Sequence, residues 1–196
     1  MPVYLTVPTP TRIEAFLRDE EKLSCTYEAV GISRQDKSLP GFDNDHSHIT
    51  LGQGELVWER ACIAIREWAH FPFGWTRIVP AEEEPREGQT VAVLIHLFGL
   101  WWLNSARVVY TIEEKNRFGF AYGTLPGHVE MGEEAFWVQR DAEGVVSYHI
   151  KAFSKPRMWL TKIGYPVVRM CQKRFVRHSM RQMHRIAGVE KQKLAV

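Results

Sequence analysis

The residues best suited to chemistry in this chain lie in one stretch, Tyr122-Gly123-Thr124-Leu125-Pro126-Gly127-His128-Val129-Glu130-Met131-Gly132-Glu133-Glu134-Ala135-Phe136. Three glutamates beside a histidine can divide acid and base roles, because burial raises one carboxyl pKa while a neighbour stays ionised. Read as strands, Tyr122 and Thr124 share one face, and Glu134, Phe136 and Val138 share a face of the next strand. Glu130, Glu133, Glu134 and His128 are therefore the candidate acid/base residues. The same carboxylates exposed at strand ends would do no chemistry, and spacing alone leaves both readings open.

Asp43, Asp45, His46 and His48 have the residue types of a metal site. They lack the H-E-x-x-H spacing that sets two imidazoles on one helical face, and a solvated loop before a helix accounts for them equally well. No metal is expected. G-x-S-x-G, G-x-x-x-x-G-K and G-x-G-x-x-G are absent, and Gly52-Gln53-Gly54 is too short to argue for a nucleotide, so no cofactor is expected either. Trp101 and Trp102 stand in a very apolar run, 97–103. Adjacent residues of an extended chain point to opposite sides, so one indole can enter the core while the other meets a ligand, a partner or a lipid surface.

Toward the C-terminus, Arg169, Lys173, Arg177, Arg181 and Arg185 recur at four-residue steps. On a helix each step advances about 40°, which draws a slowly turning basic stripe opposite Val167, Cys171, Phe175, Met180 and Met183. The stripe is either a solvated face or a surface for phosphates, as in peripheral contact with an anionic membrane. Nucleic acid is disfavoured as a partner, because no base-stacking aromatic motif accompanies the cations. The charge is segregated along the chain. Residues 1–154 carry 14 Lys and Arg against 22 Asp and Glu, and residues 155–196 carry 11 against Glu190 alone.

The elements that must position these groups come from 196 residues, 45% hydrophobic and 24% charged, the proportions of one globular domain. A chain of this size buries roughly 70% of its unfolded surface and needs no staples. Three cysteines without a C-x-x-C pair favour a reducing compartment. The prolines near the N-terminus do not suit a secretory signal, and the longest apolar run falls short of the roughly 20 residues of a spanning helix. A cytoplasmic protein is expected.

Thr11-Arg12-Ile13-Glu14 predicts a capping box opening a short helix, and residues 24–32 read as a strand. Residues 33–48 read as a loop. A second capping box, Thr50-Leu51-Gly52-Gln53, precedes a helix marked by Trp58, Ala61, Cys62, Ile65, Trp68 and Ala69, which Phe71-Pro72-Phe73-Gly74 stops. Strands are predicted over 75–79, 90–97, 105–113, 118–125, 133–140 and 145–153. No helix-length crossover separates them, so they pair antiparallel. A helical region begins at Pro156, is broken at Gly164-Tyr165-Pro166 and runs on to about Ala187. The class is α+β, with helices on one face of a curved antiparallel sheet. One domain is expected over 1–196, with a helical lead-in over 1–24 and a frayed tail over 188–196.

Five pieces occur in a telling order: Thr26-Tyr27-Glu28-Ala29-Val30-Gly31, Leu51-Gly52-Gln53-Gly54, the string from Tyr122 to Glu134, Ala152-Phe153-Ser154-Lys155-Pro156, and Gln172. They resemble the uncharacterised bacterial and plant family known as domain of unknown function nineteen-ninety. That family is similar to the helix-grip superfold of birch-pollen-allergen and START-domain proteins (SRPBCC). The resemblance implies a curved antiparallel sheet around a long C-terminal helix, with an apolar cavity between them. It also implies binding of lipids, sterols or other hydrophobic molecules, and for some members cyclase or hydrolase activity. It brings no catalytic residues.

The expected function is binding of a hydrophobic or amphipathic small molecule. Trp101, Trp102, Tyr110 and Tyr122 would supply contact, and Arg107, His128, Glu130 and Glu134 would act as polar gatekeepers. The first alternative is a cyclase- or hydrolase-like enzyme using Glu130, Glu133 or Glu134 with His128. The second is an adaptor docking anionic lipid or nucleic acid through its basic helix.

Overall fold

Between residues 76 and 156 the chain alternates runs of β-branched and aromatic residues with short polar turns, and each run forms a strand. In the computed structural model, which describes residues 1–35, 37–72, 74–81, 83–157 and 164–188, the elements follow in order. They are β1 (Val3–Tyr4), α1 (Pro10–Glu20), β2 (Asp43–Gln53), α2 (Glu55–Arg66), β3 (Thr76–Val79), β4 (Thr90–Leu97), β5 (Leu100–Glu114), β6 (Arg117–Thr124), β7 (Glu130–Arg140), β8 (Val145–Pro156) and α3 (Tyr165–Ala187).

Eight strands make one sheet in the order β2-β8-β7-β6-β5-β4-β3, with β1 beside β5. Every pairing is antiparallel. Hairpins such as Phe98-Gly99, both at positive φ, join neighbours without crossovers. The concave face carries Val91, Val93, Val108, Phe120, Phe136, Val138, Tyr148 and Ile150. Packed on them are Val57, Ala61 and Ile65 of α2 and Met183 and Ala187 of α3. This is the helix-grip arrangement. A smaller cluster, Ile13 with Ala92, Leu94, Trp101 and Leu103, fastens α1 to the convex face.

Several sequence expectations are corrected. Residues 24–32 form no strand. Thr26 bonds the Thr124 carbonyl, and the Gly31 and Ser33 amides turn to a buried side chain instead of a ladder. Asp43–Gln53 is an edge strand, not a loop leading to a cap. Its inward residues before Ile49 are polar, which hid the alternation. The second capping box does not form, because its residues belong to β2 and α2 opens behind Gly54 with no side-chain cap. Nor does Thr11 cap α1, whose N-cap is Thr9 with Pro10 in the first turn. Pro156 ends β8 rather than starting a helix. The helical expectation over 158–163 and the tail beyond Gly188 lie outside the described residues.

Candidate functional site

One end of the grip, where the starts of β2, β7 and α3 meet the end of β8, gathers polar side chains. Glu130 and Glu134 both face inward from β7, and Glu134 lies directly across from Tyr122 in the β6–β7 register. The Tyr122 hydroxyl donates to Glu134 Oε2 at 2.8 Å. From α3, Gln172 Nε2 donates to both oxygens of Glu130 at 2.8 and 2.9 Å and to Ser154 Oγ at 3.0 Å. Alternation along β2 turns Asp43 and Asp45 to the same side. There Tyr165 donates to Asp43 at 2.5 Å, and Arg169 grips Asp45 with two hydrogen bonds of 2.6 and 2.9 Å. Tyr122, Glu130, Glu134, Ser154 and Gln172 thus converge, with Arg169 and the two aspartates at the rim.

Electrostatics at this mouth hold protons. Glu130 and Glu134 keep some accessible surface, yet surrounding protein desolvates both and pushes each pKa up to about 7. For Glu130, donation from Gln172 and the charge of Arg169 oppose the rise, while Asp43 and Asp45 add to it. For Glu134, donation from Tyr122 opposes, and Glu130 and Asp45 add. The Tyr122 phenol is held well above its ordinary value by burial and by the Glu134 carboxylate, so it stays a donor. At neutral pH the carboxyls therefore offer both O–H donors and acceptor oxygens.

Behind the mouth stands a wall of rings. Tyr122 lies 5.4 Å from Phe136 and 6.4 Å from Phe71, and Phe175 of α3 packs edge-on to Phe71 at 5.4 Å. His70 sits deeper, fully buried, 4.7 Å from Phe136. Neither of its ring nitrogens has a hydrogen-bond partner of good geometry. Burial pulls its pKa down to about 3, with the Ala64 carbonyl opposing only in part.

Other candidate residues fall elsewhere, for stated reasons. His128 belongs to the β6–β7 turn, where its Nδ1 accepts the Glu130 N–H at 3.0 Å. Burial lowers its pKa to about 4, so the ring is neutral. Glu133, one residue out of phase with Glu134, faces the convex side and is buried. There it accepts from Tyr27 Oη at 2.7 Å, from the Gly31 and Ser33 amides at 2.7 and 3.0 Å, and from the Ser33 hydroxyl. It clamps the 26–34 segment to the sheet. Gly123 is the bare backbone this clamp needs, since a Cβ there would lie 2.0 Å from Tyr27 Oη.

Trp101 stacks on His96 at 4.7 Å beneath α1, and Arg107 donates to the Glu21 carbonyl at 2.8 Å, both on the convex side. Tyr110 would share the inward face with Val108 but for a bulge between them, which turns its hydroxyl to Ser33 at 2.7 Å. Trp102 does face inward, its indole N–H on the Leu97 carbonyl at 3.2 Å. The structure therefore brings Tyr122, Glu130 and Glu134 together and sends Trp101, Arg107, Tyr110 and Glu133 to the other face.

The four suspected metal ligands also divide. Asp43 and Asp45 point inward, while His46 and His48 point outward with His149, which stacks on Trp137 at 4.8 Å. No group of three His, Cys, Asp or Glu among the described residues is arranged to hold a metal ion. A surface groove of about 560 Å³ runs between α2 and the β5–β6 hairpin, lined by Glu55, Trp58, Glu59, Arg66, Glu114 and Phe118 among others. Solvated charges wall it, and none of the converging groups reaches it. The sequence offers Asp45 only as a metal-type residue, Ser154 only within the family resemblance and Tyr165 only within a helix break, although the two-residue spacing of Asp43 and Asp45 signals one strand face.

Comparisons with known proteins bear on the fold and the family. A UPF0548 protein of Deinococcus radiodurans is 33% identical over 198 residues, spanning 94% of this chain and 98% of its own. Among solved structures, a hypothetical protein from Helicobacter pylori superposes with a TM-score of 0.54 at 11% identity, covering 76% of this chain and 91% of that one. The di-domain ARO/CYC protein StfQ of the steffimycin biosynthetic pathway gives 0.51 at 10% identity, over 74% of this chain and 50% of that one. At such identities the likeness is one of fold alone. The residues that carried the sequence resemblance divide between the two faces: Tyr27, Gly31, Gly123 and Glu133 build the clamp, and Tyr122, Glu130, Glu134, Ser154 and Gln172 build the mouth. With the family model matching residues 26–182, the chain belongs to the family described as domain of unknown function (DUF1990).

Proposed function

We propose that this protein binds a small amphipathic molecule at the mouth of the grip. The polar end of the ligand engages Glu130, Glu134 and Gln172, and its apolar part lies against Tyr122 and the ring wall of Phe71, Phe136 and Phe175. One observation carries the reading: five polar side chains from β6, β7, β8 and α3 converge in front of aromatic rings, with two of them desolvated carboxyls. Mostly apolar lining with a few convergent polar groups is the ordinary composition of a small-molecule site. The pair of carboxyls titrating near 7 also favours a second reading, in which they move a proton on a bound substrate.

The test is native mass spectrometry of the purified protein, followed by denaturing extraction. A co-purifying compound should be lost from Glu134→Gln and Tyr122→Phe and kept by Arg107→Gln on the convex side. Retention by all three variants would place the ligand elsewhere. Conversion of the extracted compound by wild type but not by Glu134→Gln would favour the enzymatic reading over simple binding.

A further inference from the structure

The outward face of α3 is a row of cations with little to answer them. Lys173, Arg174, Arg177, Arg181 and Arg185 are all exposed, and no acidic residue occurs anywhere from Tyr165 to Ala187. Among ion pairs between described residues, only Arg169 of this helix takes part, with Asp45 at the mouth. Three of the other four guanidiniums are engaged by their own helix or by a ring. Arg177 donates to the Lys173 carbonyl, Arg185 to Gln182, and Arg174 lies over Trp75 at 4.7 Å. Their field is felt locally: after burial, the charges of Arg174, Arg181 and Arg177 hold His178 below the usual imidazole value. No neighbouring carboxylate enters that balance.

Two apolar side chains interrupt the basic face at its first turns, one of them Val167, which helical periodicity had set opposite the stripe. Met170 is 56% exposed and Val167 38% exposed. The aromatic residues of the same helix are turned away, Tyr165 to Asp43 and Phe175 to Phe71, so no ring is offered for stacking on a nucleobase. A bilayer has a use for both kinds of residue: anionic headgroups meet guanidiniums, and the acyl boundary beneath receives short apolar side chains. A phosphodiester groove would leave Val167 and Met170 without a counterpart.

We propose that this face docks the protein on anionic lipid bilayers, with Arg174, Arg177, Arg181 and Arg185 at the headgroups and Val167 and Met170 at the acyl boundary. The first turns of α3 also supply Tyr165, Arg169 and Gln172 to the mouth. Docking by α3 therefore brings the mouth beside the membrane, where an amphipathic molecule can be exchanged.

The test is co-sedimentation of the full-length protein with phosphatidylcholine vesicles, with and without phosphatidylserine. Wild type should bind only the serine-containing vesicles and should be released by salt. Each basic residue at such a surface is worth about a five-fold change in partition, so Arg177→Gln/Arg181→Gln should bind about twenty-five-fold more weakly. Both side chains are exposed, so circular dichroism should be unchanged. Met170→Ser should weaken binding further without altering its salt dependence. Equal binding to both vesicle types, no binding to either, or a double variant matching wild type would each overturn the proposal. So would displacement of the vesicles by short duplex DNA. Glu134→Gln should bind vesicles normally, which separates failure of the docking surface from failure of the ligand site.

Discussion

Replacing Glu134 by Gln should make the protein more stable at alkaline pH, the reverse of what removal of a structural carboxylate does. The folded state holds the Glu134 proton up to a pKa of about 7, against 4.5 for the free group. The folded chain therefore binds that proton more tightly than the unfolded one. Its stabilising contribution is complete below about pH 4.5 and is lost as pH rises through 7. At about 1.4 kcal/mol per pH unit, the loss by pH 8 is about 3 kcal/mol for this residue. Glu130 repels it, so the two losses do not simply add.

Gln has the same shape and keeps an oxygen for the Tyr122 hydroxyl, so it removes the charge and spares the hydrogen bond. Urea unfolding of wild type and Glu134→Gln should give similar stabilities at pH 4. At pH 8 the variant should be about 3 kcal/mol more stable, worth roughly 6–12 °C in Tm for a domain of this size. Taking the difference between the two proteins cancels the groups that do not act on Glu134. Asp45 stays ionised throughout, its carboxyl held below its ordinary value by the Arg169 hydrogen bonds, whereas Glu130 titrates in the same range and does not cancel. A variant less stable than wild type at pH 8, or two parallel pH profiles, would refute the account of a desolvated carboxyl at the mouth.

The convex clamp should respond in the opposite direction. Glu133→Gln leaves two of its four buried donors facing an amide NH₂, so urea unfolding should show a loss of about 3 kcal/mol, and a loss below 1 kcal/mol would mean the clamp contributes little. In a double-mutant cycle with Tyr27→Phe the two losses should fall short of additive, because both cut the same hydrogen bond. His70→Phe should raise stability by about 1–2 kcal/mol, since it relieves two buried nitrogens that lack a hydrogen bond of good geometry, among rings that accept a phenyl of similar size. A clear loss of stability there would show that the imidazole is hydrogen-bonded in solution.

Why the candidate residues are only partly legible in the sequence follows from where they lie. Glu134 is legible on a strand face with Phe136 and Val138, but Glu130 lies ahead of the strand predicted over 133–140, and only a strand that begins at Glu130 puts both carboxyls on one face. Glu133 was visible as a chemical group but not as a clamp, since its partners come from a segment about a hundred residues earlier. From its four-residue spacing Arg169 reads as the start of an exposed stripe. Its pairing with Asp45 joins the last helix to the edge strand, and no local pattern encodes that contact.

What the sequence determined by itself is the set of local periods: the strands from 76 to 156, the amphipathic α2 and α3, and the antiparallel order imposed by short turns. From these, and from the motif resemblance, the helix-grip class follows. Only the tertiary structure decided which chemistry shares a face. A single bulge between Val108 and Tyr110 sends a tyrosine outward, and pairing of 43–53 as a strand instead of a loop puts two aspartates and two histidines on opposite faces. The physical reason is that side-chain direction in a sheet reverses with every residue. A register shift of one position, which leaves hydrophobic patterning almost unchanged, therefore moves every later side chain to the opposite side of the molecule.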